Sequence, residues 1–296
     1  MANLFEAARR LLVRAAVIAL RYAFSTRCVL TLWSRPMSTP LIEFDRVTVL
    51  RDGVTALDRL SLRIDDGERV AVLGPNGAGK STLVDTLTRA VYPAAGMGPS
   101  ALRIYGRDRW DVFELRNLLG IVTHALVRDC TGPYTALETV LSGFFSSIGV
   151  WPHHQVTEQM REEARLALRE LEIAHLEGVP LKEMSSGEVR RAVIARALVH
   201  RPRALVLDEP TVSLDIRGRR ELLAAMRRLA SAGKSLVLVT HTLDDVIPEI
   251  DRVVTLRDGH ILHDGPTREV LRSGPLSELF RVDVHVAERE GAWHMW

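Results

Sequence analysis

The chain has 296 residues, enough for one large domain or two modest ones around a substantial core. Its 39 basic and 37 acidic side chains give a formal charge of +2, without the one-sided field of a dedicated nucleic-acid binder, so no nucleic-acid partner is expected. The two cysteines, Cys28 and Cys130, form no C-x-x-C pair. Neither a disulfide framework nor a structural zinc site is therefore indicated, and a reducing, cytoplasmic location fits best.

Residues 1–38 differ in composition from the rest of the chain. Arginines are scattered among alanine, leucine and valine, and Glu6 is the only acid. A membrane span is one interpretation, although the arginines leave only short apolar runs. The others are an amphipathic transit or membrane-surface segment, and an upstream extension without a folded role. We interpret the segment as an extension of unknown role.

Strand patterns begin directly after this extension. Leu41–Phe44, Val47–Leu50 and the alternating Leu60–Ile64 are short apolar runs separated by turns such as Asp52-Gly53. The pattern predicts an antiparallel β subdomain.

The most informative stretch follows the apolar run Arg69–Leu73 and reads GPNGAGKST. It matches the phosphate-binding pattern G-x-x-x-x-G-K-[ST], in which glycines let the backbone wrap around phosphates and helix amides point at the anion. In this pattern Lys80 reaches the β/γ oxygens and the Ser81 hydroxyl faces Mg²⁺. The predicted nucleotide-binding residues are Gly74, Pro75, Asn76, Gly77, Ala78, Gly79, Lys80, Ser81 and Thr82. ATP or GTP is the predicted ligand.

The later elements alternate between helical and strand patterns. Ala204–Leu207 and Ser235–Thr240 are apolar runs that each follow a helical pattern, which indicates β-α-β units. Strand signals are missing from about 127 to 184, where Val156–Leu171 has the spacing of an amphipathic helix. The predicted fold class is α/β, with a P-loop NTPase core, an antiparallel β subdomain and an inserted α-helical subdomain.

Two carboxylates, Asp208 and Glu209, end the strand pattern that begins at Ala204. Ligands of open α/β sheets bind at the carboxyl ends of strands. Asp208 is therefore predicted to hold Mg²⁺, together with Ser81, and Glu209 is predicted to polarise an attacking water.

Further motifs follow in a fixed order. Met184–Glu188 reads MSSGE before an arginine-rich helix, Thr211–Asp215 reads TVSLD, and His241 closes the strand at Thr240. This order resembles the nucleotide-binding subunit of ATP-binding cassette (ABC) transporters, over about Leu41 to Leu271. We accordingly interpret 39–275 as the ABC ATPase domain and 276–296 as a tail, in which Trp293 and Trp296 look exposed.

The resemblance implies a head-to-tail dimer with a second copy of the chain. Ser185, Ser186 and Gly187 of one copy would cap the γ-phosphate of ATP held by the other, His241 would hold the attacking water with Glu209, and Asp215 would communicate across the dimer. It also implies a separate transmembrane permease subunit, which would keep the chain cytoplasmic and peripheral to a membrane. The helical lobe around Phe144, Phe145 and Trp151 would contact that subunit.

This sequence departs from the family pattern in three places. The signature usually reads LSGGQ, whereas Met184, Ser186 and Glu188 replace three of its five residues. His124 stands where a metal-contacting glutamine is usual, with Val127 next in line if the register differs by three residues. Arg51 replaces an aromatic that often stacks on adenine, and its guanidinium plane can stack in the same way.

Three functions remain open at this stage. The first is a Mg²⁺-dependent ATPase subunit of an ABC transporter. The second is a soluble cassette protein that acts on ribosomes or DNA. The third is a nucleotide sensor with low turnover, which the altered signature and the missing glutamine suggest.

Overall fold

The strands form where β-branched and large apolar residues cluster between turns. The computed structural model describes residues 39–296, so the interpretations of residues 1–38 lie outside the described residues. The strands are β1 (Ile42–Arg51), β2 (Val54–Ile64), β3 (Arg69–Leu73), β4 (Ala101–Ile104), β5 (Leu119–Val122), β6 (Ala204–Asp208), β7 (Ser235–Thr240), β8 (Arg252–Arg257), β9 (His260–Pro266), β10 (Val286–Arg289) and β11 (Ala292–Met295).

Many of the helices begin at a Ser, Thr or Asp whose side chain accepts a hydrogen bond from the first turn. Such caps satisfy amides that have no partner inside the helix. The α-helices are α1 (Lys80–Leu87), α2 (Val112–Leu118), α3 (His124–Cys130), α4 (Ala136–Leu141), α5 (Glu158–Glu170), α6 (Ser186–Leu198), α7 (Ile216–Ser231), α8 (Thr267–Val270) and α9 (Ser273–Phe280).

The central sheet has six strands in the order β5-β6-β7-β3-β8-β9. Neighbouring strands are parallel from β5 to β8, and β9 pairs antiparallel with β8. Strands β6 and β7 are buried along their whole length, as expected where helices cover both faces of a parallel sheet. The carboxyl ends of β3, β6 and β7 therefore lie side by side, and this confirms the predicted α/β core.

A second sheet, in the order β2-β1-β4, forms the predicted antiparallel subdomain. Strand β1 is continuous, whereas the sequence pattern suggests two short strands. The register of β1 against β2 shifts between Phe44 and Val47, and Arg46 between them has a φ of 48°. This irregularity interrupts the alternation of apolar and polar residues without ending the strand.

The segment from 127 to 184 contains helices and turns and no strand, in agreement with the inserted helical lobe. Helix α5 buries Ala164, Ala167 and Leu168 on one face. These residues join the core cluster that also contains much of helix α6. The lobe therefore packs directly on the helix that carries the signature residues.

The end of the chain folds onto the rest of it. Residues 40–296 form one unit, and the proposed boundary at 275 falls inside helix α9. Strands β10 and β11 form a hairpin in which Trp293 is 8% exposed and belongs to the core cluster, while Trp296 is 63% exposed. The expectation of two exposed tryptophans is wrong for Trp293, because its side chain faces the core side of the hairpin. Between 39 and 296, the helices are too short or too polar to cross a bilayer.

Candidate nucleotide site

The phosphate loop connects β3 to α1 in the conformation that the sequence pattern requires. Gly77 and Gly79 have φ angles of 80° and 103°, which residues with a side chain rarely adopt. A Cβ on Gly79 would lie 2.6 Å from the Ala56 carbonyl oxygen. Helix α1 then starts at Lys80, so its first amides lie beside the loop, where they can bind an anion.

Lys80 is 5% exposed, and its side chain extends back toward the start of the phosphate loop. Its Nζ donates to the carbonyl oxygens of Gly74 at 2.9 Å and Pro75 at 3.0 Å, and lies 3.6 Å from Glu209 Oε1. Burial lowers the pKa of the amine, while Glu209 and Asp208 act in the opposite direction. The ammonium group is thus oriented by acceptors that a phosphate can replace.

Asp208, the last residue of β6, presents a buried carboxylate at the edge of the sheet. It is 7% exposed, and within residues 39–296 its Oδ1 has no hydrogen-bond partner. Burial, followed by the charges of Glu209 and Asp85, raises the pKa of Asp208 to about 6. A divalent cation would bind this unpartnered oxygen and offset the negative charge of the neighbouring carboxylates. Asp208 therefore fits the role of a Mg²⁺ ligand.

Glu209 turns away from the strand with a φ of 47°, which is unusual for a residue with a side chain. Its amide donates to the Val239 carbonyl oxygen at 2.7 Å, which fixes the turn against the neighbouring strand. Its Oε1 lies 3.1 Å from His241 Nδ1. The carboxylate therefore stands between Lys80 and His241, and all three predicted residues meet at the mouth of the loop.

His124 and Arg190 lie close to the same carboxylates. Burial, followed by the charge of Arg190, lowers the pKa of His124, which keeps the imidazole neutral near pH 7. Arg190 is 4% exposed, and within the described part of the chain its Nε and Nη1 have no hydrogen-bond partner. Its guanidinium offsets part of the negative charge at Asp208. The sequence motifs do not single out Arg190, because its burial depends on how α6 packs.

Arg51, the predicted base-stacking residue, ends strand β1 and forms an ion pair with Asp85 of helix α1. Asp85 lies four residues after Ser81 on the same helix. The guanidinium is thus held near the phosphate loop.

The signature residues lie at the start of helix α6. Ser185 caps this helix: its hydroxyl oxygen accepts from the Glu188 amide at 3.4 Å, and its own amide donates to Glu188 Oε2 at 2.8 Å. Glu188, at the usual glutamine position, therefore completes a capping box. No hydrogen bond or ion pair within residues 39–296 joins Ser185, Ser186 or Gly187 to the phosphate loop.

Helices α6 and α7 begin side by side. Asp215 caps α7 by accepting from the Gly218 amide at 2.7 Å. A Cβ on Gly187 would lie 2.9 Å from Gly218 Cα, so the two glycines allow close contact between the helices. The positions of the signature residues and of Asp215 are therefore linked.

A phosphate loop after the central strand β3, with two acidic residues at the end of β6 and a histidine at the end of the intervening strand β7, defines a P-loop nucleoside triphosphatase. Comparison with known proteins assigns the family. Residues 57–212 match the family model described as ABC transporter.

Curated relatives agree with this match. The cobalt import ATP-binding protein CbiO of Rhodobacter capsulatus is 35% identical over 236 residues, which cover 79% of this chain and 81% of that protein. The hemin import ATP-binding protein HmuV of Bradyrhizobium diazoefficiens is 35% identical over 246 residues, which cover 79% of this chain and 86% of that protein. The chain belongs to the ABC transporter family, as an ATP-binding subunit.

Solved structures show the same fold. The structure of cbiO1 from Clostridium perfringens, described as part of the cbiONQ transporter complex, aligns with a TM-score of 0.68 at 25% identity, over 81% of this chain and 94% of that chain. A bacterial ABC transporter cassette in dimeric form aligns with a TM-score of 0.63 at 26% identity, over 76% of this chain and 98% of that chain.

Proposed function

We propose that this chain hydrolyses ATP in the presence of Mg²⁺ and that closure of its dimer drives a separate membrane subunit. The observation that carries the proposal is the position of Glu209 Oε1, 3.6 Å from Lys80 Nζ and 3.1 Å from His241 Nδ1. A base between a phosphate-binding cation and an orienting imidazole is suited to activating water beside a γ-phosphate.

Binding of the nucleotide is assigned to the loop from Gly74 to Thr82. Its backbone amides and Lys80 hold the β- and γ-phosphates, and Ser81 and Asp208 hold Mg²⁺. The bound cation supplies positive charge to the phosphate oxygens. His124 would be a further ligand of the cation, in place of the usual glutamine, and Arg51 would stack on the base after leaving its partner Asp85.

Hydrolysis proceeds by attack of water on the γ-phosphorus. The new bond forms from the water oxygen, the bond from the γ-phosphorus to the bridging oxygen breaks, and ADP and phosphate leave. Glu209 accepts the proton of the water, and His241 orients the water or the γ-phosphate. Lys80 balances the charge that develops on the phosphate oxygens.

The second half of the site comes from another copy of the chain. Ser185, Ser186 and Gly187 of that copy cap the γ-phosphate at the start of their helix, and Asp215 connects the two subunits. The dimeric cassette at 26% identity supports this arrangement. Ser186 is exposed, so its hydroxyl can reach a ligand without dismantling the Ser185–Glu188 capping box.

The membrane partner contacts the helical lobe. Trp151 is 48% exposed and available to a partner, whereas Phe145 stacks on His154 with ring centroids 4.1 Å apart. Phe144 packs edge-on against His200. Trp151 is therefore the main apolar contact that we assign to the permease. Relatives named as import proteins for cobalt and for hemin support import as the direction.

Turnover by a Glu209→Gln variant tests the proposal. We expect ATP affinity close to that of the wild type, phosphate release reduced by about 100-fold or more, and an ATP-trapped dimer in sedimentation. Glu170→Gln, at an exposed position of helix α5, is the matched control and should leave phosphate release unchanged. Wild-type turnover in Glu209→Gln, or a wild type without Mg²⁺-dependent phosphate release, would contradict the proposal.

A further inference from the structure

Asp245 is a fully buried carboxylate that none of the motifs includes. It ends the short 3-10 turn Leu243–Asp245, and its exposed fraction is 0%. A buried carboxylate without partners is costly, so its surroundings must satisfy both oxygens. They do so through side chains from three separate segments of the chain.

The hydrogen bonds to Asp245 are short, and those from the two threonines are buried. The Thr211 hydroxyl donates to Oδ1 at 2.5 Å, the Thr240 hydroxyl donates to Oδ2 at 2.7 Å, and Arg219 Nη2 donates to Oδ1 at 2.9 Å. Thr211 is 7% exposed and Thr240 is 0% exposed. Charge-assisted hydrogen bonds of this kind hold side chains in one geometry.

Each donor lies next to a proposed functional residue. Thr211 follows Glu209 by two residues, and Thr240 directly precedes His241. Arg219 lies in the first turn of α7, where its amide donates to the carbonyl oxygen of Asp215 at 2.9 Å. One carboxylate therefore ties together the three segments that carry the base, the histidine and the contact to the second subunit.

The same network reaches the phosphate loop through the backbone. The carbonyl oxygen of Thr240 accepts from the Gly74 amide at 3.3 Å. Asp244, the neighbouring acid, also pairs with Arg219 at 3.3 Å, but its side chain is 47% exposed. The buried and the exposed acid thus share one guanidinium, and only the buried one contacts the two threonines.

We propose that Asp245 is a positioning residue for hydrolysis: it fixes the segments of Glu209, His241 and Asp215 relative to one another through Thr211, Thr240 and Arg219. The inference rests on the proposed function, since it assigns these three residues their roles. Asp245 itself is 0% exposed and acts through these three donors. Loss of the Asp245 carboxylate changes the geometry for the attack of water more than it changes the affinity for the nucleotide. That affinity depends on the phosphate loop and Lys80.

The test compares Asp245→Asn with Asp244→Asn in the full chain. Asp245→Asn keeps the shape and removes the charge that the three donors share. We expect kcat for ATP hydrolysis to fall by about tenfold or more, with the KM for ATP changed by less than about threefold. Asp244→Asn should keep the wild-type kcat. Asp245→Glu, which restores the carboxylate, should recover part of the loss.

A double-mutant cycle separates positioning from a general loss of structure. In a His241→Ala background, Asp245→Asn should reduce kcat by a smaller factor than in the wild-type background, because one of the residues that it positions is already absent. Should Asp245→Asn fail to fold, Thr240→Val removes only the hydroxyl beside His241 and should show the same split between kcat and KM.

The outcomes distinguish this inference from the proposed function. If the wild type and Asp244→Asn hydrolyse ATP and a folded Asp245→Asn does so at the same rate, the positioning role is wrong while the proposed function stands. Equal losses of kcat in the presence and absence of His241 also overturn the inference. A wild type without hydrolysis contradicts the proposed function itself.

Discussion

At the scale of single residues, Asp208 gives the clearest dependence on pH. Its pKa is raised from 3.8 to about 6, so the folded protein keeps this carboxyl protonated up to a higher pH than the unfolded chain does. Tighter proton binding by the folded state stabilises it. This stabilisation is complete below about pH 4 and is lost as the pH rises through about 6. Ionisation at higher pH costs up to about 3 kcal/mol, which Asp208→Asn avoids.

We therefore expect Asp208→Asn to gain stability relative to the wild type when the pH is raised from about 5 to about 7.5. Urea unfolding without nucleotide or divalent cation measures this difference. Asp244→Asn, at a partly exposed acid, should show no such change. A stability difference between Asp208→Asn and wild type that is the same at both pH values would contradict the assignment.

The residues of the phosphate loop are predictable from sequence because the chemistry is local. The glycine angles, the helix start at Lys80 and the acids at the end of β6 depend on neighbours in the chain. Asp245 and Arg190 were outside the motifs because their burial depends on contacts between separate elements. A single sequence shows which residue types are present but not which of them the packing removes from water.

At the scale of elements, the contact between helices α6 and α7 is the tightest feature of the signature region. Gly187→Ala would place a Cβ 2.9 Å from Gly218 Cα, and backbone must move to relieve the clash. The two helix starts would then shift relative to each other. We expect the ATP-trapped dimer of the Glu209→Gln protein to weaken by about tenfold, with ATP binding by one subunit retained.

Sedimentation of the Glu209→Gln protein with ATP measures this effect. Gly178→Ala is the matched control, because a Cβ at this position meets no atom within 4 Å. Equal dimer affinity for Gly187→Ala and Gly178→Ala would show that the helix contact does not control the signature residues.

The sequence predicts most elements of the sheets because buried parallel strands are continuous apolar runs. Strand β4, with four residues and two of them buried, carries too weak a pattern to be recognised. Strand β1 appears divided in the sequence because Arg46 adopts a left-handed conformation within it. Strand β4 forms by pairing with β1, which is distant in the chain, whereas the irregularity of β1 lies in its pairing with the adjacent strand β2.

At the scale of the whole molecule, the C-terminal hairpin is part of the core. Trp293 is 8% exposed and packs in the main hydrophobic cluster. We expect Trp293→Ala to reduce the free energy of unfolding by about 3 kcal/mol, through loss of buried aromatic area and formation of a cavity. Urea unfolding measures the change.

Trp296→Ala is the matched control, because Trp296 is 63% exposed. Its replacement should lower the free energy of unfolding by less than about 0.5 kcal/mol. Equal losses for the two tryptophans would contradict the packing of the hairpin.

Whether a tail folds back onto a core cannot be read from its composition. For this reason the sequence alone gave no structural role to residues 276–296.

The buried setting of Lys80 has a consequence for chemical labelling. The chain contains only three lysines, Lys80, Lys182 and Lys234. Lys182 is exposed, and the amine of Lys234 donates to the Pro202 carbonyl oxygen at 3.0 Å. A lowered pKa leaves more of the Lys80 amine unprotonated and nucleophilic. If the loop binds triphosphate as we propose, an acylating triphosphate analogue should react with this amine. Mass spectrometry should then find the acyl group on the Lys80 peptide, with the Lys182 and Lys234 peptides as internal controls.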